Sequence, residues 1–337
     1  MKKHLIGAAV IAAFAAPAMA QNVSLYGILD MNWNVKDYDV GSSQSTLGSS
    51  ALATSRIGIR GSEDLGGGLK AEFMLEGTLR PQDGVVGYSL NTSNSTGTAD
   101  TLFDRESWFG LAGSFGAVRF GTSDVTDAVN IDSKVSQAGD LGLITDLGTD
   151  KTRVARYTSP VMSGLSFQAG IAQPSSSNES SSALAVESNT NKIVSLYGAY
   201  EQKEFAVYVG HEIKTISPTY DQKQTTIGGK YDFGVASVGL AYGNRDGATS
   251  GASDRTYTAL SAAVPLANGY KVHGVYKKYE TDTTKVANDF DAVTLAVTKS
   301  LSKRTTAYAA YIDTDFNTNG ATGTDNKNYL VGVTHAF

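Results

Sequence analysis

The 337-residue sequence contains no cysteine, only six prolines and no block of basic residues. Without cysteine no disulfide can support the fold, and no Cys/His cluster has the spacing of a metal site. The acidic balance, with a formal net charge of −5, argues against nucleic acid as a partner. Beyond residue 20 the sequence also lacks any apolar run long enough for a membrane-spanning helix. The class of the protein must therefore be decided by the periodicity of what is present.

The first twenty residues have the layout of a secretory signal peptide. Two lysines form a positive start, an apolar run follows, and Ala18 and Ala20 form an A-x-A cleavage site. We expect residues 1–20 to be removed on export. Loss of the two lysines changes the formal charge from −5 to −7, and residues 21–337 are expected to form a single domain.

Most of the remaining sequence alternates apolar and polar residues with a period of two. In VSLYGILDMNWNV one parity is apolar from Val23 to Val35, whereas most residues of the other parity are polar. The stretch LKAEFMLEGTLR, residues 69–80, repeats this pattern, as do many later stretches up to the final NYLVGVTHAF. This period is typical of β-strands with one apolar face, because a helix would space its apolar residues by three and four.

Short turns and long polar loops alternate between these strands. EDLGGG, GSFG, EQKE and LSKR are short connections, and the long ones lie near 41–50, 81–100, 122–151, 174–191, 245–254, 281–288 and 316–326. Short turns on one side and long loops on the other are typical of outer-membrane barrels. We therefore predict an all-β fold, a transmembrane antiparallel β-barrel of about 16 strands. A soluble β-sandwich fits less well, because its strands are shorter and its loops are not sorted by side.

The sequence ends on an aromatic residue, Phe337, inside a strand pattern. A closed barrel must pair its last strand with its first, because an open sheet edge in lipid leaves backbone groups without hydrogen bonds. We expect Phe337 to end that closing strand, with its ring in the aromatic girdle on the periplasmic side. The 17 tyrosines also fit two such girdles, since the phenol joins an apolar ring to a polar hydroxyl.

Several segments resemble the general porins of Gram-negative β-proteobacteria and their neisserial relatives. They are SLYGILD, TSRIGIRGSEDLGGGLKAEFMLEG, FGAVRFG, RYTSP and the terminal VGVTHAF. The resemblance implies a sixteen-stranded barrel, assembled as a homotrimer, with the loop at about 122–151 folded into the lumen as a constriction. It further implies a place in the cell outer membrane, contact with its lipid and lipopolysaccharide, insertion by the barrel-assembly machinery, and Phe337 as an assembly signal. The expected function is a water-filled channel for passive diffusion of ions and small hydrophilic solutes.

Alternation also predicts which basic residues face the lumen. The isoleucines beside Arg56 and Arg60 have the lipid-facing parity, so both arginines point inward. An arginine pointing into lipid at mid-strand would cost about 2–4 kcal/mol. The same parity argument directs Arg119 and Arg156 inward, whereas the register of Arg105 stays ambiguous.

The resemblance adds a second assignment of the constriction. It places the family's constriction arginines at Arg56, Arg105 and a basic position near the start of the sixth strand. That third position is Lys151, Arg153 or Arg156, and the alignment does not choose between them. The sequence departs from the family's pattern in DRESWFGL and GTSDVTDAV, which puts its pore preference in doubt.

Acidic residues of the 122–151 loop are expected to face these arginines. The candidates are Asp124, Asp127 and Asp132. Arginines opposite loop carboxylates would create a transverse field, which biases the passage of ions and orients dipolar solutes. A local surplus of arginines predicts modest anion preference in spite of the net negative charge. Either Glu106 or Asp132, if it faced the lumen, would nearly cancel that surplus.

No catalytic pattern accompanies these residues. His211, His273 and His335 lie on separate predicted strands, and no G-x-S-x-G motif is present. We therefore expect no enzyme activity, no metal and no cofactor. Two other functions stay open at this point: a solute-specific outer-membrane channel, and a surface adhesin or immune-interaction protein acting through the long loops.

Overall fold

The computed structural model describes residues 22–39, 41–89, 100–142, 152–173, 192–247, 254–281, 289–317 and 325–337. The predicted signal peptide, Lys151 and the Ser-rich segment 174–191 lie outside the described residues. Among the residues described, no helix is long and apolar enough to cross a membrane.

Strands make up most of the described chain. They are β1 (Asn22–Tyr38), β2 (Gln44–Ser49), β3 (Arg56–Gly66), β4 (Leu69–Arg80), β5 (Val85–Val86), β6 (Tyr88–Ser89), β7 (Asp100–Thr101), β8 (Glu106–Gly113), β9 (Gly116–Ser123), β10 (Thr152–Thr158), β11 (Leu165–Gln173), β12 (Ile193–Glu201), β13 (Phe205–Ser217), β14 (Tyr220–Asp232), β15 (Ser237–Arg245), β16 (Arg255–Pro265), β17 (Tyr270–Thr281), β18 (Asp289–Ser300), β19 (Thr305–Asn317) and β20 (Asn326–Ala336). The helical segments are α1 (Ile131–Val135) and the short 3-10 helices Asp127–Asn130, Gly139–Gly142 and Ala267–Gly269.

Sixteen of these strands form a closed antiparallel barrel. The ring runs β1, β3, β4 and then β8 to β20 in order, and β1 pairs with β20 to close it. The predicted fold class and strand number are therefore confirmed. Large apolar side chains cover the outside of the ring, as the alternation requires; Leu25, Phe109, Leu196 and Val331 are examples.

The chain end completes this closure. The backbone of Phe337 exchanges two hydrogen bonds with Gly27 of β1, at 3.1 and 3.2 Å. The ring lies over Gly27, where an added Cβ would collide with it. Glycine at this position therefore lets the terminal aromatic ring lie flat on the outside of the first strand.

The loop pattern differs from the prediction at two places. Gln44–Ser49, inside the expected loop 41–50, is strand β2, which pairs with the upper part of β1. Strands β13 and β14 are joined by only two residues, Pro218 and Thr219, on the side where long loops were expected. Proline is a favoured turn residue, and here it permits a tight hairpin in place of a long loop.

Strands β2 and β3 both pair with β1 and together occupy one place in the ring, with a break between Ser50 and Ser55. The carboxylate of Asp30 fills the interruption and accepts hydrogen bonds from three successive amides, those of Ala51, Leu52 and Ala53, at 2.9 to 3.3 Å. It also accepts from the hydroxyl of Tyr308 at 2.6 Å. The broken strand is thus held in place by buried hydrogen bonds in place of the missing sheet ladder.

The segment 124–142, called the inner loop below, packs inside the barrel. Strand β9 extends to Ser123, so this loop begins two residues after the predicted start at 122. Ile131 and Val135 are fully buried against lumen-facing tyrosines. Gly228 and Gly239 make room for α1, because a Cβ at either would collide with Ile131 or Val135.

The tyrosines are therefore not confined to the two expected girdles. Five of them are buried on the inner side of the wall: Tyr197, Tyr208, Tyr257, Tyr279 and Tyr308. Others, such as Tyr200, Tyr231 and Tyr329, are exposed on the outside, where the girdles were predicted. Four of these buried tyrosines, Tyr197, Tyr208, Tyr257 and Tyr279, form an apolar cluster with Ile131 and Val135 of the inner loop.

Candidate pore lining

Arginines line one side of the lumen, called the arginine wall below. The wall consists of the inward-facing side chains of β3, β4, β8, β9 and β10 together with Arg105, which directly precedes β8. Five of its described guanidinium groups belong to Arg56, Arg60, Arg105, Arg119 and Arg156, and Arg80 at the end of β4 has the same inward parity as Glu76. The structure thus brings together five of the six arginines that were predicted from the sequence to line the constriction.

Glu76 is the centre of one half of this wall, and its role was not anticipated from the sequence. It is only 5% exposed. Its carboxylate lies 2.7 Å from Nε of Arg105 and 3.9 Å from Nε of Arg56, and it accepts a hydrogen bond from the hydroxyl of Tyr26 at 2.8 Å. One buried carboxylate therefore fixes the positions of two guanidinium groups, and the register ambiguity of Arg105 is resolved toward the lumen.

The other half of the wall is built around Arg119 and Arg156, which are cross-strand neighbours on β9 and β10. The guanidinium of Arg119 stacks on the indole of Trp108, 4.1 Å from the ring centroid. Arg156 is buried and reaches Asp127 of the inner loop at 3.7 Å. Two like charges on adjacent strands are thus separated by engaging different partners.

Asp127 connects the inner loop to this wall. Its carboxylate pairs with Lys134 at 2.8 Å, and its backbone amide donates to the side-chain oxygen of Gln168 at 2.9 Å. Burial alone would raise the pKa of Asp127, but the Lys134 ammonium and the Arg156 guanidinium outweigh it and hold that pKa below its usual range. The carboxylate is therefore ionised at neutral pH.

Arg60 occupies the periplasmic flank of the wall. Its guanidinium lies 5.0 Å from the ring centroid of Tyr26, and its Nε donates to the hydroxyl of Ser24 at 3.4 Å. Stacking of this kind fixes the plane of a guanidinium and leaves its N–H edge available to solutes.

Arg153 does not belong to the arginine wall, which corrects its assignment as a constriction residue. Its parity on β10 is that of Ala155, which pairs with the outward-facing Phe120, and the Arg153 side chain is exposed. Because Arg153 and Arg156 are three residues apart, they cannot share one face of a strand. Of the two described candidates for the third basic position, only Arg156 faces the lumen.

The loop carboxylates do not form the expected row facing the arginines across open water. Asp124 is 7% exposed, and its carboxylate accepts from the side chain of Asn130 at 2.9 Å. Asp132 is 9% exposed and interacts electrostatically with Lys277 on the wall behind the loop. Asp127 engages the arginine wall through its carboxylate, which lies 3.7 Å from the Arg156 guanidinium. Glu106, by contrast, does have the inward parity, directly opposite Glu76 in the sheet.

The opposite side of the lumen, called the loop wall below, is formed by β12 to β17 and covered by the inner loop. Gln137 is its main polar anchor. The side-chain oxygen of Gln137 accepts a hydrogen bond from the hydroxyl of Ser237 at 2.6 Å. The backbone amide of Gln137 donates to Ser261 at 3.2 Å, and the backbone carbonyl of Gln137 is hydrogen-bonded to His273 at 2.6 Å. Further along, the Thr54 hydroxyl donates to Asp140 at 2.6 Å. The loop is thus fastened across the lumen from β9 to the interrupted strand.

Within the described ranges, no group of three or more His, Cys, Asp or Glu side chains is placed to hold a metal ion. What the arrangement provides is a closed barrel with an apolar exterior, a charged interior and a loop that narrows the passage. Such an arrangement defines a membrane-spanning channel through which solutes move without chemical change.

The comparisons with known proteins agree with this class. The family model described as Gram-negative porin matches residues 7–320. Outer membrane porin protein 32 of Delftia acidovorans is 31% identical over 327 residues, covering 91% of this chain and 88% of the relative. Major outer membrane protein P.IB of Neisseria meningitidis serogroup B, serotype 15, is 28% identical over 334 residues, covering 91% of each. The solved anion-selective porin from Comamonas acidovorans superposes with a TM-score of 0.71 at 25% identity, over 94% of this chain and 100% of that one.

The chain belongs to the family of Gram-negative porins. It is an outer-membrane protein whose barrel forms a water-filled channel for the passive diffusion of ions and small hydrophilic solutes.

Proposed function

We propose that the channel prefers anions modestly, and that its constriction lies between the arginine wall and the inner loop. The observation that carries this proposal is the local balance of charge. Five guanidinium groups face the carboxylates of Glu72, Glu76 and Glu106, while Asp127 and Lys134 of the inner loop cancel each other. The surplus is two positive charges, or one if the buried Asp124 is counted.

This local surplus outweighs the overall negative charge of the protein for selectivity. Charges further from the narrow zone than a Debye length, about 8 Å at physiological salt, are largely screened. An ion is therefore selected by the groups that line the narrowest part of its path. The similarity to a porin that is itself named anion-selective supports the same sign of preference.

The test removes two positive charges from the wall. In the double variant Arg56→Ser/Arg105→Ser, we expect the zero-current potential in a KCl gradient to shift toward cation preference. The matched control, Lys303→Ser/Arg304→Ser, removes the same charge from an exposed turn at the barrel rim. It should leave the potential nearly unchanged. Equal shifts in the two variants, or no shift in the first, would show that these arginines do not set selectivity.

Removal of both arginines also leaves Glu76 buried with only Tyr26 as a partner. The double variant should therefore lose stability, because a buried carboxylate without its counterions is costly. Adding Glu76→Gln to the double variant should restore much of that stability. This triple variant keeps the selectivity measurement interpretable if the double variant inserts poorly.

We also propose that the protein assembles as a homotrimer and that Phe337 is its assembly signal. The support is the position of Phe337, whose backbone closes the ring against Gly27 while its 40% exposed ring faces outward. That side chain is exposed to the barrel-assembly machinery and to the periplasmic-leaflet lipid of the outer membrane. Deletion of Phe337 should sharply reduce membrane-inserted trimer, measured by heat-modifiable mobility in gels. Phe337→Tyr, which keeps an aromatic end, should insert normally, and normal insertion of the deletion variant would contradict the proposal.

A further inference from the structure

A cavity of about 350 Å³ opens into the arginine wall on the periplasmic side of Glu76. Its charged and aromatic lining comes from Arg60, Glu72, Trp108 and Arg119, and Ser24 and Ser62 add hydroxyl groups. The size is that of a site for a small solute. Neither the barrel's closure nor the docking of the inner loop uses these groups together.

The sheet register sets the spacing of the three charges. Glu72 lies directly opposite Gly110, and Gly110 lies directly opposite Arg119 on the next strand. Because glycine has no side chain, the aliphatic part of Arg119 can lie over Gly110, with its Cγ 3.0 Å from the place a Cβ would take. Arg60 is the diagonal neighbour of Glu72 on the other side, since Ser62 occupies the directly opposite position.

Aromatic rings keep both guanidinium groups away from Glu72. Arg119 is held on Trp108 and Arg60 on Tyr26, at 4.1 and 5.0 Å from the ring centroids. In the part of the chain that the structure describes, Glu72 forms no ion pair within 4.0 Å with either arginine. Without the stacking, the carboxylate of Glu72 and the two guanidinium groups would attract each other into ion pairs. The stacking therefore keeps the carboxylate apart from both guanidinium groups.

Trp108 lines the cavity as the ring that holds Arg119. Its side chain is 9% exposed, and its indole N–H is buried in the wall with no hydrogen-bond acceptor within the described residues. Trp108 therefore acts on a solute through the guanidinium that it positions.

We propose that this cavity is a binding subsite for zwitterionic solutes of the α-amino-acid type. The solute's ammonium group binds Glu72, and its carboxylate binds the N–H edges of Arg60 and Arg119. The proposal deepens the proposed function and rests on it, because it names a class of solute for the same pore. A dianion fits less well because Glu72 repels its second charge, and a simple cation fits less well because it meets two guanidinium groups.

The experiment compares two solutes of nearly equal size on the full-length channel. L-alanine carries the ammonium and the carboxylate, whereas L-lactate has a hydroxyl group in place of the ammonium. Each is titrated into planar bilayers at low salt, and the concentration that half-blocks the single-channel ion current is measured. We expect saturable block by alanine at a lower concentration than by lactate.

Glu72→Gln is the decisive variant. It should raise the half-blocking concentration of alanine by about two- to fivefold, the scale of one partly exposed charge pair, and leave that of lactate unchanged or lower. Glu204→Gln removes the same charge from an exposed turn outside the cavity and should change neither value. Trp108→Phe, which shrinks the aromatic surface that holds the Arg119 guanidinium, should raise both values.

Three outcomes would overturn the subsite. They are an alanine block that does not saturate in a conducting channel, equal effects of Glu72→Gln on both solutes, and a Glu204→Gln effect as large as that of Glu72→Gln. If Glu72→Gln fails to insert, unchanged block of both solutes in Trp108→Phe overturns it as well. A purified protein that conducts no ions would instead contradict the channel function itself, so the two failures are distinguishable.

Discussion

The two sides of the lumen are built from the same alternating strands but meet the passage in different ways. On the loop wall, small and aromatic residues face inward, and α1 packs on them with Ile131 and Val135 fully buried. On the arginine wall, guanidinium groups and carboxylates face inward, and Arg56 and Arg105 stay partly exposed to the passage while Glu76 is buried beneath them. The inward-facing residues are thus largely apolar where the inner loop packs on the wall, and charged where the wall borders the water-filled passage.

The two walls therefore affect different properties of the channel: the loop wall affects the shape of the passage, and the arginine wall affects its charge. The loop wall determines how far the inner loop intrudes, because steric contact at glycine positions sets the position of α1. The arginine wall determines which ions pass, because its charges line the remaining space. A change to one wall should therefore alter conductance and selectivity to different extents, and the variants below test that separation.

The largest effect is expected from a steric change on the loop wall. In Gly228→Val, the added Cβ would lie 2.6 Å from the Ile131 side chain, so α1 must move. Overpacking of this kind costs about 1–3 kcal/mol. Because the larger side chain pushes α1 from the wall into the passage, we expect a lower and less steady single-channel conductance, together with faster proteolysis within residues 124–142, while the zero-current potential changes little.

The control for that variant is Gly274→Val on β17, where no atom lies within 4 Å of an added Cβ. It introduces the same side chain on the outward-facing side of the barrel. Its conductance should match the unmodified protein. If Gly228→Val also conducts normally, steric contact with α1 does not position the inner loop.

A smaller effect is expected from Glu76→Gln on the arginine wall. Arg56 and Arg105 would lose their shared counterion, so the anion preference should increase and thermal unfolding should reveal a loss of about 1–3 kcal/mol. The control Glu63→Gln removes the same charge from an exposed position near the end of β3. An unchanged zero-current potential in Glu76→Gln would refute the assignment of shape and charge to separate walls.

The smallest effect concerns the ion pairs at Asp127, which connect the inner loop to the arginine wall. The pKa of Asp127 is lower in the folded protein than in the unfolded chain, so the ionised form stabilises loop docking above about pH 4, the usual aspartate value. That contribution is lost as the pH falls through the lowered pKa. Conductance should therefore stay constant from neutral pH to about pH 4 and rise only in more acidic solution.

Asp127→Asn provides the comparison for this pH dependence. It should loosen the inner loop already at neutral pH and remove the acid-induced rise in conductance. A conductance step near neutral pH in the unmodified protein that Asp127→Asn abolishes would show that the pKa is raised instead of lowered.

Much of the barrel could be predicted because alternation is a local signal. Each strand carries its own period of two, so the ring and the inward direction of Arg56 and Arg119 follow from short stretches of sequence. At two places where the prediction failed, alternation alone would have given the correct side of the barrel. Arg153 and Arg156 differ in parity, and Tyr197 has the parity opposite to the outward-facing Leu196.

Other features could not be predicted, because they depend on register between distant strands. Glu76 has the inward parity in the sequence, but its contact with Arg105 requires the offset between β4 and β8. Gln137 lies in a loop without periodicity, and its partners are on three strands at least 100 positions further along the chain. Asp124 and Asp132 were misplaced for the same reason, since their burial depends on where the loop packs against the barrel.

The interrupted strand beside Asp30 has a consequence for the order in which the protein matures. Asp30 and Tyr308 are 278 positions apart, so this hydrogen bond exists only after the last strands have joined the first. The amides held by Asp30 belong to the segment that also receives Asp140 of the inner loop. The far anchor of the loop therefore forms late, after ring closure. A newly closed barrel is expected to pass through a wide, unselective stage before it becomes a filter.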